Sequence, residues 1–100
     1  MAIVNVSEYP TVATNANGVV QIPLGTPLAT YDISVGASAA AGATLNSATR
    51  LVRLNTDVTC RVKMAVSPVA GAADTRFSAG ATEFWGVPGP GMAISVIQSS

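Results

Sequence analysis

The stretch Val58-Thr59-Cys60-Arg61-Val62-Lys63-Met64-Ala65-Val66 decides the fold. Val58, Cys60, Val62, Met64 and Val66 fall on one side of a period-two repeat, and Thr59, Arg61 and Lys63 fall on the other. Alternation sustained over a run of this length marks a strand with one face in a core and one in water. Outward from it, the spacing predicts further strands at residues 2–6, 18–23, 28–35, 50–56, 82–87 and 92–98. All are rich in Val, Ile, Thr or aromatic residues and are bounded by Gly, Pro, Asn and Ser. Seven short strands at regular spacing predict an all-β domain, a small antiparallel β-sandwich or jelly-roll-like barrel.

The turns are read from residue chemistry. Asn55-Thr56-Asp57 separates two strand patterns with turn-forming side chains, which predicts a hairpin of 50–56 with 58–66. Asn15-Ala16-Asn17-Gly18 reads as a turn, and Pro88-Gly89-Pro90-Gly91 as a tight reversal. The segment 36–44 (GASAAAGAT) is too short and too glycine-bracketed for an isolated helix, so a loop or a single helical turn is expected. Residues 1–100 read as one domain, with residues 1–12 either a strand or an extended arm.

Composition restricts function. The chain is 49% hydrophobic and only 10% charged, with five positive and five negative side chains and no net charge. An ordinary soluble domain carries about 25% charged residues, and neutral surfaces associate. Self-association follows as an expectation: a homo-oligomer, trimer or dimer. The absence of a basic excess argues against nucleic acid and membrane surfaces as partners. The start, MAIVNVSEYP, has neither the basic region nor the apolar stretch of a signal peptide, so synthesis and folding in a cytoplasm are expected.

The residue types for catalysis are scarce. Without histidine there is no imidazole to activate a nucleophile, carry a proton or bind a metal. One cysteine, Cys60, allows no intrachain disulfide or zinc site and is expected to be a buried, inert thiol. The carboxylates Glu8, Asp32, Asp57, Asp74 and Glu83 stand singly, and no phosphate-binding glycine loop is present. The expectation is a protein that is not an enzyme and that has no catalytic, metal or cofactor site.

Partner binding has better candidates. Arg53, Arg61 and Lys63 lie in the expected hairpin, where neighbouring strands would gather them into a basic face for an acidic partner; the plain alternative is a solvated strand surface. Phe84 and Trp85 are adjacent, so on a strand they point to opposite sides. One fills the core and the other is a candidate contact anchor, unless a covering loop buries both.

From Thr49 to Ile97 the order of features is distinctive: "TRLVRLNTDVTCRVKM", then the small-residue linker "SPVAGAADTRFSAGATEFWGV", then "PGPGMAISVI". This order resembles that of short proteins encoded among the virion-structure genes of tailed bacteriophages. The resemblance covers about half the chain and carries no binding residues with it. It implies a virion component that seats on the major capsid protein at the capsid surface: a decoration (cement) protein or another small head-associated protein. A receptor- or glycan-binding module of a phage fibre or spike is the alternative.

Overall fold

A computed structural model describes residues 2–10, 12–14, 20–23 and 26–99, with backbone alone at 12–14 and 20–23. These residues form ten strands and no helix: β1 (Ile3–Tyr9), β2 (Val12–Thr14), β3 (Val20–Pro23), β4 (Ala29–Ser34), β5 (Ala40–Ala41), β6 (Leu51–Thr56), β7 (Cys60–Ala65), β8 (Thr75–Phe77), β9 (Thr82–Gly86) and β10 (Ala93–Gln98). Two antiparallel four-stranded sheets carry the fold, ordered β4-β1-β6-β9 and β5-β10-β7-β8, with β2 and β3 pairing separately. The result is a β-sandwich, all-β as the periodicity predicts, and not a closed barrel. The expected turn at 15–18 lies outside the described residues.

Strand alternation explains the layers. In the first sheet Val4 and Val6 of β1, Ile33 of β4, and Val52 and Leu54 of β6 turn inward and are buried. Cys60 and Val62 of β7, Phe77 of β8, and Ile94 and Val96 of β10 meet them from the second sheet. Full burial of a Val, Leu, Ile or Phe side chain contributes about 1.5–3 kcal/mol, so this single cluster is the main source of stability.

Three expectations need correction. Residues 3–9 are not an arm: β1 is an interior strand, paired with β4 on one side and β6 on the other. Residues 50–66 are not a hairpin either. Strand β6 belongs to the first sheet and β7 to the second, so Asp57 sits in an arch between layers. Its carboxylate accepts from Ile3 N–H at 2.8 Å, fixing the arch to the start of β1. The segment 36–44 forms no helical turn. Its Ala40–Ala41 pairs with β10, and Gly42 N–H and Leu45 N–H continue that contact by donating to Ile94 O and Met92 O. Gly42 is where this segment crosses β4; a Cβ there would lie 3.0 Å from Ile33 Cδ1 and 3.1 Å from Tyr31 Cε2.

Candidate functional site

The arch after β6 divides the basic residues expected to act together. Arg53 projects from the outer face of the first sheet, between Ser7 of β1 and Phe84 of β9. Arg61 and Lys63 project from the outer face of the second sheet. The expected three-residue patch is therefore not assembled, because a period-two pattern fixes a side chain's face but not the sheet its strand joins.

A different basic group forms on the second sheet. Arg61 of β7 is directly opposite Arg76 of β8, with Lys63 two residues along β7. Arg61 is already engaged: its Nη1 donates to Asp74 O at 3.1 Å. The loop 66–74 folds over this face, with Ala70 N–H donating to Ser95 Oγ at 2.9 Å and Gly71 N–H to Asp74 Oδ2 at 2.8 Å. This loop buries Ser95 and Ala93 on the outer side of β10 and leaves Val66 and Val69 at its surface, 66% and 70% exposed. Val66 thus leaves the inward series that the alternation assigns it, because β7 ends at Ala65.

Phe84 and Trp85 divide between the two sides. Trp85 turns inward and meets Phe77 edge to face across the sandwich, with centroids 5.6 Å apart and planes at 74°. Its Nε1 donates to Glu83 Oε1 at 3.1 Å. As a half-buried core side chain, Trp85 is not the exposed contact anchor. Phe84 is the exposed member of the pair, 50% exposed on the outer face.

Across the outer face of the first sheet the side chains beyond Phe84 are polar, with Ser7 buried among them. One row of side chains runs Thr30, Ser7, Arg53, Phe84 across all four strands, and the next runs Asp32, Asn5, Asn55, Thr82. The second row is cross-linked: Asn5 Nδ2 donates to Asp32 Oδ1 and Asn55 Nδ2 to Thr82 Oγ1, both at 2.8 Å. The amide groups are therefore held in fixed orientations by bonds across the strands.

Sequence reasoning missed a buried polar cluster. Glu8 lies on the inward face of β1 and is 3% exposed. One of its oxygens, Oε1, accepts from Thr49 Oγ1 at 2.7 Å and from Asn46 N–H at 2.8 Å, which clamps the turn at 46–49 to β1. Asn46 Oδ1 closes the turn by accepting from Ala48 N–H. The Tyr31 hydroxyl is buried beside the Glu8 carboxylate but makes no hydrogen bond of good geometry among the described residues. Burial, and then the charge on Glu8, push this phenol well above its ordinary range. The only hint in the sequence is a carboxylate at a core-facing position of a strand. With Oε1 occupied and the side chain covered, Glu8 acts as an internal brace.

Cys60 is fully buried, and its thiol donates to Thr56 Oγ1 at 3.6 Å. Burial pushes its thiol up from the ordinary value, so the nucleophilic thiolate is disfavoured. Among the described residues no three His, Cys, Asp or Glu side chains converge as a metal site would require. Comparison with protein-family models, curated proteins and solved structures returns no match.

Proposed function

We propose that this chain is a non-enzymatic structural protein of a bacteriophage virion, a decoration protein that binds the capsid shell and stabilises it. The observation that carries the reading is the exposed Phe84 on a rigid, hydrogen-bonded sheet face, in a chain with very few charges. Aromatic side chains on firm supports are favoured contact anchors, and weak contacts repeated on a lattice gain avidity. Val66 and Val69 on the opposite face would add apolar contact, while Lys63 and Arg76 suit an acidic neighbour. The resemblance of residues 49–97 to short phage virion proteins supports the same class.

The test is a shell-binding titration at low and high salt. Phe84→Ala is expected to weaken binding by about tenfold or more with little salt dependence, since 1.4 kcal/mol of lost apolar contact is a factor of ten. Arg61→Ala with Lys63→Ala is expected to weaken binding mainly at low salt, because exposed charges are screened over about 8 Å at physiological ionic strength. Binding unchanged in both variants would overturn the reading.

A second reading has one specific observation in its favour: on the outer face Phe84 is flanked by Arg53, Thr82 and Asn55, the last two joined by a hydrogen bond. An aromatic ring bordered by fixed amides and hydroxyls suits the apolar and hydroxyl-bearing sides of a sugar ring. Glycan binding that is lost in Phe84→Ala, with no affinity for shells, would select this module over the decoration protein.

A further inference from the structure

The first sheet ends at β9, which among the described residues pairs with β6 alone. The ladder shows which backbone groups it leaves over. Val87 N–H donates to Arg50 O, and Ala81 O accepts from Thr56 N–H, so the odd-numbered residues bond to β6. In an antiparallel pair this alternates strictly, so the N–H and C=O groups of Thr82, Phe84 and Gly86 point away from the sheet. Such an edge is a template for another strand unless it carries a charge, a proline or a bulge.

The other edges of the two four-stranded sheets carry such features or are very short. Edge strand β4 has Asp32 near its middle, and three-residue β8 has Arg76 at its centre. A two-fold pairing centred on either residue would set like charges opposite each other, which is destabilising. Edge strand β5 has only two residues. Strand β9 has Phe84 at its centre; its one charge, Glu83, faces inward, accepts from Trp85 and, in a pairing centred on Phe84, would oppose Trp85 of the second copy and not a like charge. We propose that the edge of β9 is the self-association surface of this protein, where a second copy adds its own β9 antiparallel about a two-fold axis through Phe84.

In that register Phe84 opposes Phe84 of the second copy, and Thr82 opposes its Gly86. Pro88, without an N–H, ends the ladder just beyond Gly86. The two aromatic rings lie side by side on one continuous eight-stranded face, and cross-strand aromatic pairs stabilise antiparallel sheets. Beside Phe84 the outer face is open at Gly86, where a Cβ would meet nothing within 4 Å. The inference deepens the docking reading above, because the dimer would present two copies of Phe84 to a shell.

The experiment measures mass by sedimentation across micromolar to millimolar concentration for wild type, Phe84→Lys and Gly86→Pro. Gly86→Pro removes one edge donor without touching the ladder to β6, and Phe84→Lys opposes two charges across the axis. Each is expected to weaken dimerisation by about tenfold or more, with circular dichroism unchanged. Phe84→Cys supplies a readout that does not depend on the proline variant folding. A hydrogen-bonded antiparallel pair has its Cα atoms about 5.5 Å apart, within disulfide range. It should therefore cross-link to a dimer under mild oxidation far faster than Ser34→Cys, an exposed position on β4. A dimeric wild type that both edge variants leave intact, with Ser34→Cys cross-linking as fast as Phe84→Cys, would overturn the β9 assignment while self-association stood. A monomer throughout that still binds shells would overturn the pairing and spare the docking reading.

Discussion

Replacing Glu8 by alanine tests whether the buried carboxylate holds the sandwich together. The substitution strands two donors, the Thr49 hydroxyl and the Asn46 N–H, now 2.7 and 2.8 Å from Oε1. Thr49 is buried, so its orphaned hydroxyl costs about 1–3 kcal/mol. Asn46 is exposed and can turn to water, so its lost bond costs about 0.5–1.5 kcal/mol. The expected destabilisation is about 2–4 kcal/mol, a large share of the roughly 5–15 kcal/mol that holds a domain folded. Glu8→Gln keeps an oxygen for both donors, and its new amide N–H has the unpartnered Tyr31 hydroxyl as an acceptor, so its cost should stay under about 1 kcal/mol. Urea unfolding followed by Trp85 fluorescence reads both values, since that indole sits against Phe77 in the core. A double-mutant cycle with Thr49→Val should show about 1–2 kcal/mol of coupling. Additive effects, or a loss below about 0.5 kcal/mol in Glu8→Ala, would refute the bracing role.

Tyr31→Phe should be close to neutral at neutral pH, because the buried hydroxyl it removes makes no hydrogen bond of good geometry. Tyr31's phenol is held above its ordinary range in the fold, first by burial, so stability is undiminished below about pH 10 and falls as pH rises toward the folded value, where the unfolded chain alone is ionised. Wild type should therefore lose up to about 1.4 kcal/mol per pH unit above about pH 10 relative to Tyr31→Phe, and equal urea midpoints in both proteins there would contradict this. Gly42→Ala places a methyl 3.0 Å from Ile33 Cδ1 and should destabilise by about 1–3 kcal/mol in thermal unfolding. Cys60→Ala should cost about 1 kcal/mol or more. Ellman's reagent should label Cys60 only as fast as the protein unfolds, and rapid labelling of the native state would show that the thiol is not enclosed.

The seven expected strands are all present with shifted ends, because Val and Ile alternate with polar residues wherever a strand has one wet face. The missed strands are the short ones, β2, β5 and β8, and in Ala40–Ala41 and Thr75–Phe77 no alternation has room to develop. The hairpin misreading has a clear physical origin. Asn55-Thr56-Asp57 is turn chemistry, and the same chemistry serves an arch between layers as well as a reversal within one. Which sheet β7 joins is decided by long-range pairing with β10, which no local pattern encodes. The same limit separated Arg53 from Arg61 and Lys63. Adjacent Phe84 and Trp85 had to point to opposite sides, but only the position of Phe77 across the core decides that Trp85 is the inward one.

The interior position of β1 sets a timetable for synthesis. Its partners β4 and β6 lie later in the chain, and the pairing with β6 reaches Thr56. At roughly 5–20 residues per second, Val4 and Val6 wait roughly 3–10 s after emerging before their second neighbour exists. In the other sheet one of the two interior strands, β10, has the opposite order and is made after both its partners, β5 and β7. Neither layer can close while the chain is half made, so no early fragment is a stable resting point. Folding dominated by such distant pairings is slow, on the order of milliseconds to seconds. Until then the low charge leaves the nascent chain poorly defended against aggregation.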